Sequence, residues 1–85
     1  FNPNLNEIKA DPHYKKTRTM DYQTCLTLQD IYTQHLGKNK KVIEMQKTNI
    51  SLSKKYCVVD GAILVTCDGK QNKMTIAKTN SKGCK

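Results

Sequence analysis

Two Asp-Gly dipeptides, Asp60-Gly61 and Asp68-Gly69, punctuate the run KYCVVDGAILVTCDGKQNKMTIAK. A two-residue hairpin turn needs positive φ, and Asp-Gly supplies it at low steric cost. The segments around them are rich in Val, Ile, Leu, Thr and Tyr, so the run reads as a three-stranded antiparallel meander. With Asp60-Gly61 as the turn, Val59 faces Ala62, Val58 faces Ile63, Cys57 faces Leu64 and Tyr56 faces Val65. Side chains alternate across a sheet. One face therefore carries Cys57, Val59, Ala62, Leu64 and Thr66, and the other Tyr56, Val58, Ile63, Val65 and Cys67. Asp68-Gly69 opens a looser turn through Lys70, Gln71 and Asn72. In the strand that follows, Met74 and Ile76 alternate with Lys73, Thr75 and Ala77.

Three of the four cysteines lie in or just after this meander, at positions 57, 67 and 84; the fourth is Cys25. No pair has the C-x₂₋₄-C spacing of a zinc site, so disulfides and no metal are expected. Bridges belong to an oxidising compartment, which makes the chain secreted, periplasmic or surface-exposed. The register puts Cys57 and Cys67 on opposite faces, so bonding them to each other would need a bulge or a slip. The expected pairs are Cys25–Cys57, tying a helix to the sheet, and Cys67–Cys84, holding the tail. Closing loops of about 30 and about 17 residues, each would contribute roughly 3–4 kcal/mol. That matters in an 85-residue chain that is 36% hydrophobic and has no tryptophan, where the core is thin.

Upstream, TMDYQTCLTLQDIYTQHLGKNKK reads as one helix. Thr19 or Asp21 can cap it, Gly37 suits a left-handed stop, and His35, Lys38, Lys40 and Lys41 complement the negative end of the dipole. Tyr22, Cys25, Leu26, Tyr32 and Leu36 form a stripe, widened by Leu28 and Ile31. KKVIEMQKTNISLSKK follows with period-two alternation, as one strand or two short ones with a kink near Thr48-Asn49. Residues 1–19 are polar and contain both prolines, and they read as an irregular N-terminal arm. The expectation is an α+β fold: one helix packed on a four- to five-stranded antiparallel sheet with two disulfides, residues 20–85 forming a single domain.

The segment TCDGKQNKMTIAKTNSKGC resembles the cysteine-closed C-terminal meander of type IV pilins and pseudopilins. The resemblance covers that segment alone, and no function is carried over from it. No apolar run reaches the length of a membrane span. No signal peptide is visible either, so export would make Phe1 the start of a mature or trimmed chain.

Charge carries the functional expectation. The formal net is +8. Residues 1–40 hold six basic and four acidic side chains, and residues 41–85 hold nine and three. The basic excess therefore falls on the sheet half, and it draws polyanions or acidic protein surfaces. Lys47, Lys54, Lys55, Lys70, Lys73 and Lys78 are the expected binding surface. Nucleic acid is the less favoured polyanion, because Arg18 is the single arginine and the tyrosines form no closely spaced stacking motif. Both hairpin faces carry apolar residues and one helix covers one face. The second face must meet the N-terminal arm, a ligand or another copy, which allows self-association. No motif for catalysis or a cofactor is present. His13 and His35 are the two histidines, the side-chain type that acid–base cleavage by a small nuclease would need. A small non-enzymatic binding protein is thus the leading expectation. A pilus or secretion-assembly subunit and a small nuclease or toxin are the alternatives. Asn49-Ile50-Ser51 is an N-glycosylation sequon.

Overall fold

The computed structural model describes residues 8, 10–36, 42–58 and 61–80. Five strands and one long helix follow in order: β1 (Lys15–Thr19), α1 (Tyr22–Leu36), β2 (Val42–Thr48), β3 (Ser51–Val58), β4 (Gly61–Asp68) and β5 (Lys73–Thr79). The strands make one sheet in the order β1-β5-β4-β3-β2, antiparallel throughout. β2 to β5 are a meander, while β1 and β2 lie on opposite edges. The connection through α1 therefore runs over the whole width of the sheet.

Residues 15–19 are the first departure from expectation, since they form a regular strand and not an irregular arm. KKTRT carries no apolar alternation because all five residues are exposed. Backbone pairing with β5 holds it, extended at its ends by Met20 N–H donating to Asn72 O and Lys78 N–H to Tyr14 O. The kink near Thr48-Asn49 is a turn that divides β2 from β3, with Asn49 exposed at its tip. Gly37, Lys38, Lys40 and Lys41 lie outside the described residues.

The β3–β4 register also differs. Val58 pairs with Gly61, Cys57 with Ala62, Tyr56 with Ile63 and Lys55 with Leu64. Each β3 residue meets a partner two positions earlier than Asp60-Gly61 at the turn centre would give. Gly61 is in the strand, at φ 141°, and a Cβ there would fall inside the Thr79 carbonyl oxygen. Its freedom serves the close approach to β5. A two-position shift preserves side-chain parity, so the two faces are composed as expected. The Asp68-Gly69 turn forms as read. Asp68 Oδ1 accepts the N–H groups of Lys70 and Gln71 at 2.9 and 3.1 Å, and Asn72 takes φ 53°.

α1 is capped by Asp21. Its Oδ2 accepts Thr24 N–H at 3.2 Å, its Oδ1 accepts the Thr24 hydroxyl at 2.6 Å, and Cys25 N–H closes the first helical bond to Asp21 O. These bonds, the hydroxyl one foremost, hold the Asp21 carboxyl below its ordinary 3.8. The buried stripe is Cys25, Gln29, Tyr32 and Leu36. Ile31, expected inside, is 38% exposed, and Gln29 is buried in its place. The Gln29 amide bonds the strand carbonyls of Leu52 (3.1 Å) and Val65 (2.9 Å). Tyr56 Oη donates to Gln29 O and shares a 2.7 Å bond with Thr33 Oγ1. This polar clasp sets the helix on the centre of the sheet, where its buried groups are satisfied.

The helix covers the face carrying Tyr56, Ile63, Val65 and Cys67, to which β5 adds Met74 and Ile76. That face offers the larger apolar area, so covering it removes more from water. Ile8 joins the same core, so at that residue the N-terminal region packs on the helix side and not across the second face. The cysteine pairing follows. Cys25 bonds to Cys67, with Cα atoms 5.7 Å apart. The expected Cys25–Cys57 and Cys67–Cys84 bridges are thereby both overturned: Cys57 lies on the face the helix does not reach, and Cys67 is already engaged. Cys25–Cys67 is the one bridge joining two described cysteines. Cys57 is itself disulfide-bonded, and Cys84 lies outside the described residues.

Candidate binding face

Strand register sorts the remaining side chains. Each row across the sheet joins residues paired directly opposite one another, and such residues share a face. On the helix-free face one row reads Lys15, Ala77, Leu64, Lys55, Ile43. The next, two residues along, reads Thr17, Thr75, Thr66, Ser53, Gln46. The third reads Thr19, Lys73, Asp68, Ser51, Thr48. The middle row thus carries a hydroxyl from each of four adjacent strands and an amide from the fifth. Ser53 Oγ and Thr66 Oγ1 are hydrogen-bonded at 2.9 Å, and Thr17 Oγ1 and Thr75 Oγ1 lie 3.5 Å apart. A β-branched residue is stiff at χ1, so Thr17, Thr66 and Thr75 hold these groups with little freedom.

Three lysines flank that row. Lys15 and Lys55 stand in the row on one side of it, and Lys73 in the row on the other. Strands about 4.8 Å apart put Lys15 and Lys55 roughly 14 Å from each other, with Lys73 about 13 Å further along the strand direction. Among the described residues of these rows the single acid is Asp68, whose Oδ1 is committed to the β4–β5 turn. The rows hold no aromatic side chain and no arginine.

The six lysines singled out from charge are not one surface. Lys55 and Lys73 are on the helix-free face, and Lys70 is exposed in the adjoining turn. Lys54 shares the helix side with Tyr56 and Val65 and is paired across to Glu44; Lys47 is also on that side, at the exposed edge. Lys78 is 3% exposed and belongs to the buried set. Lys15, which completes the helix-free cluster, was missed because its strand gave no periodic signal. Ranking positions by strand parity as well as by charge would have separated Lys54 from Lys55.

The second sheet face is less apolar than expected. Ala62 and Cys57 at one end are buried, Leu64, Ala77 and Ile43 are half-buried, and hydroxyls, lysines, Gln46 and Asp68 occupy the rest of the three rows. Among large apolar side chains, Met45 and Ile50 are half exposed, at 52% and 50%, around β2 and its turn. Met45 is the extra residue of a bulge between Glu44 and Gln46, which disturbs the free edge of that strand.

His13 lies in the turn before β1 and His35 in the last turn of α1, both exposed. Among the described residues no three His, Cys, Asp or Glu side chains gather to hold a metal ion. No described helix is long and apolar enough to cross a membrane. The buried Tyr32 Oη has no hydrogen-bond partner among the described residues, and burial, reinforced by Tyr14, pushes its hydroxyl up to about 12. It is a core group and not a site. Compared with protein-family models, curated proteins and solved structures, the chain matches none.

Proposed function

We propose that the protein is a non-enzymatic binding domain that takes an acidic protein surface or a polyanion against the helix-free face of its sheet. The observation that carries this reading is the placement of Lys15, Lys55 and Lys73 around an uncharged hydroxyl row, with one turn-bound carboxylate as the described counter-charge. Charge complementarity of this kind steers encounter and fixes orientation. A flat face on a rigid sheet, with the helix anchored behind it by Cys25–Cys67 and Gln29, is pre-organised to receive a partner. The buried disulfide supports action in an oxidising setting, secreted, periplasmic or at a cell surface.

The test is a titration of isotopically labelled protein with polyglutamate and with heparin at low and high salt. Chemical-shift changes are expected to centre on Thr66, Thr75, Lys55 and Lys73 and to fade as salt rises. Three neutralised charges give a slope of log K on log salt of about −2 to −3. Absence of binding at low salt, or shifts confined to the outer face of α1, would refute the reading.

A further inference from the structure

We infer that the ligand of this face is an acidic polysaccharide, a sugar chain bearing sulfate or carboxylate groups among free hydroxyls, laid across the strands along the Thr17-to-Gln46 row. The inference rests on the binding reading above and names its ligand class. Its basis is that the face offers two kinds of recognition at once. The lysines answer negative charge. The middle row answers neutral polar groups, because each serine or threonine hydroxyl has one donor and two acceptor positions. In the Ser53–Thr66 pair one proton is used between the two residues, which leaves a second proton and spare lone pairs on a pair whose Thr66 is half-buried and whose Ser53 is 9% exposed. A ligand of carboxylates alone can use only the donors. A sugar hydroxyl uses both.

Spacing points the same way. Five strands at about 4.8 Å set the row's polar groups at a repeat close to one sugar residue in an extended chain, over roughly 19 Å. The flanking rows then bring lysines to both sides of the chain, where its acidic substituents project. Single-stranded nucleic acid fits less well, since it is held by stacking on aromatic side chains, and these rows have none. Base reading leans on arginine forks, and Arg18 lies at the β1 edge on the other face, opposite Met74.

The experiment compares a heparin hexasaccharide, polyglutamate and oligothymidylate of matched charge at one low salt concentration, on the intact chain and on T66V/T75V. Valine keeps the β-branched shape and removes only the hydroxyl. Losing two neutral hydrogen bonds should weaken heparin-hexasaccharide binding about tenfold, and the other two probes, whose anionic groups use the donors alone, about threefold or less. The unsubstituted protein should prefer the hexasaccharide by a similar factor. Circular dichroism checks folding, and T17V with Gln46→Ala at the row's exposed ends serves if the central pair unfolds. Equal affinity for all three probes, or an unchanged hexasaccharide affinity in both variants, overturns this inference and leaves the charge-based reading standing. No binding of any probe overturns both.

Discussion

Removing the bridge between α1 and β4 is the sharpest perturbation of the fold. Cys25 and Cys67 are 42 residues apart in the chain and both fully buried. In the chain-entropy account a closed loop of that size restricts the unfolded state by about 13 cal/mol/K, or about 4 kcal/mol at 25 °C. A domain of this size has roughly 5–15 kcal/mol in all, so C25A/C67A should be folded but marginal. The small voids left by two sulfurs add to the loss. With no tryptophan in the chain, urea unfolding followed by far-UV circular dichroism is the assay. The variant should unfold at a markedly lower urea midpoint. Its slope should be steeper, because an unfolded chain without this crosslink exposes more surface. A loss below about 1 kcal/mol would refute the loop argument. A peptide map joining Cys25 to Cys57 would refute the face assignment on which it stands.

Three further outcomes follow from single residues. Gly61→Ala places a Cβ against the Thr79 carbonyl at a φ that L-residues rarely adopt; it should cost about 2 kcal/mol or more, read as a melting temperature lowered by roughly 8–16 °C. Asp21 is held below 3.8, so its stabilising effect is full above that pH and is lost as pH falls through the folded value. D21N should therefore melt lower than the parent at neutral pH and converge with it in acid, which a melting series against pH will show. Tyr32 is raised from 10.0 to about 12, so its contribution is full below pH 10 and is lost between pH 10 and 12. Y32F removes a buried hydroxyl without a described partner and should be neutral or stabilising near neutrality, with a shallower alkaline decline in melting temperature.

How far the chain announced this structure varies with the residue. The meander from Tyr56 to Lys78 was legible because turn chemistry and period-two alternation agree there. The β3–β4 register was not, since Asp60-Gly61 serves equally as a turn centre or as a lead into a strand pressed on β5. That ambiguity left the two faces intact, because a shift of two keeps parity. The disulfide pairing failed at a different step. Both candidate partners of Cys25 were on known faces, but choosing between them needed the alignment of Met74 and Ile76 with Val65 and Cys67. That alignment depends on the geometry of the 69–72 turn, not on any local pattern. β1 was invisible because an edge strand exposed on every residue has nothing to alternate. Lys15 was lost with it. Gln29 and Lys78 broke the polar-outside rule in the same sense: a buried amide that clasps the helix to the sheet, and a lysine drawn into the core side. Charge alone could not sort the lysines by face, which is a property of the sheet.

The central claim is that a face, and not net charge, does the binding. Two triple variants with the same net charge decide it: K15E/K55E/K73E on the helix-free side and K16E/K47E/K54E on the helix side, each titrated with heparin at low salt. The first should abolish binding, and the second should lower it only by the modest long-range effect of reversing distant charges. Equal losses in the two variants would mean that the sheet face has no special part in recognition.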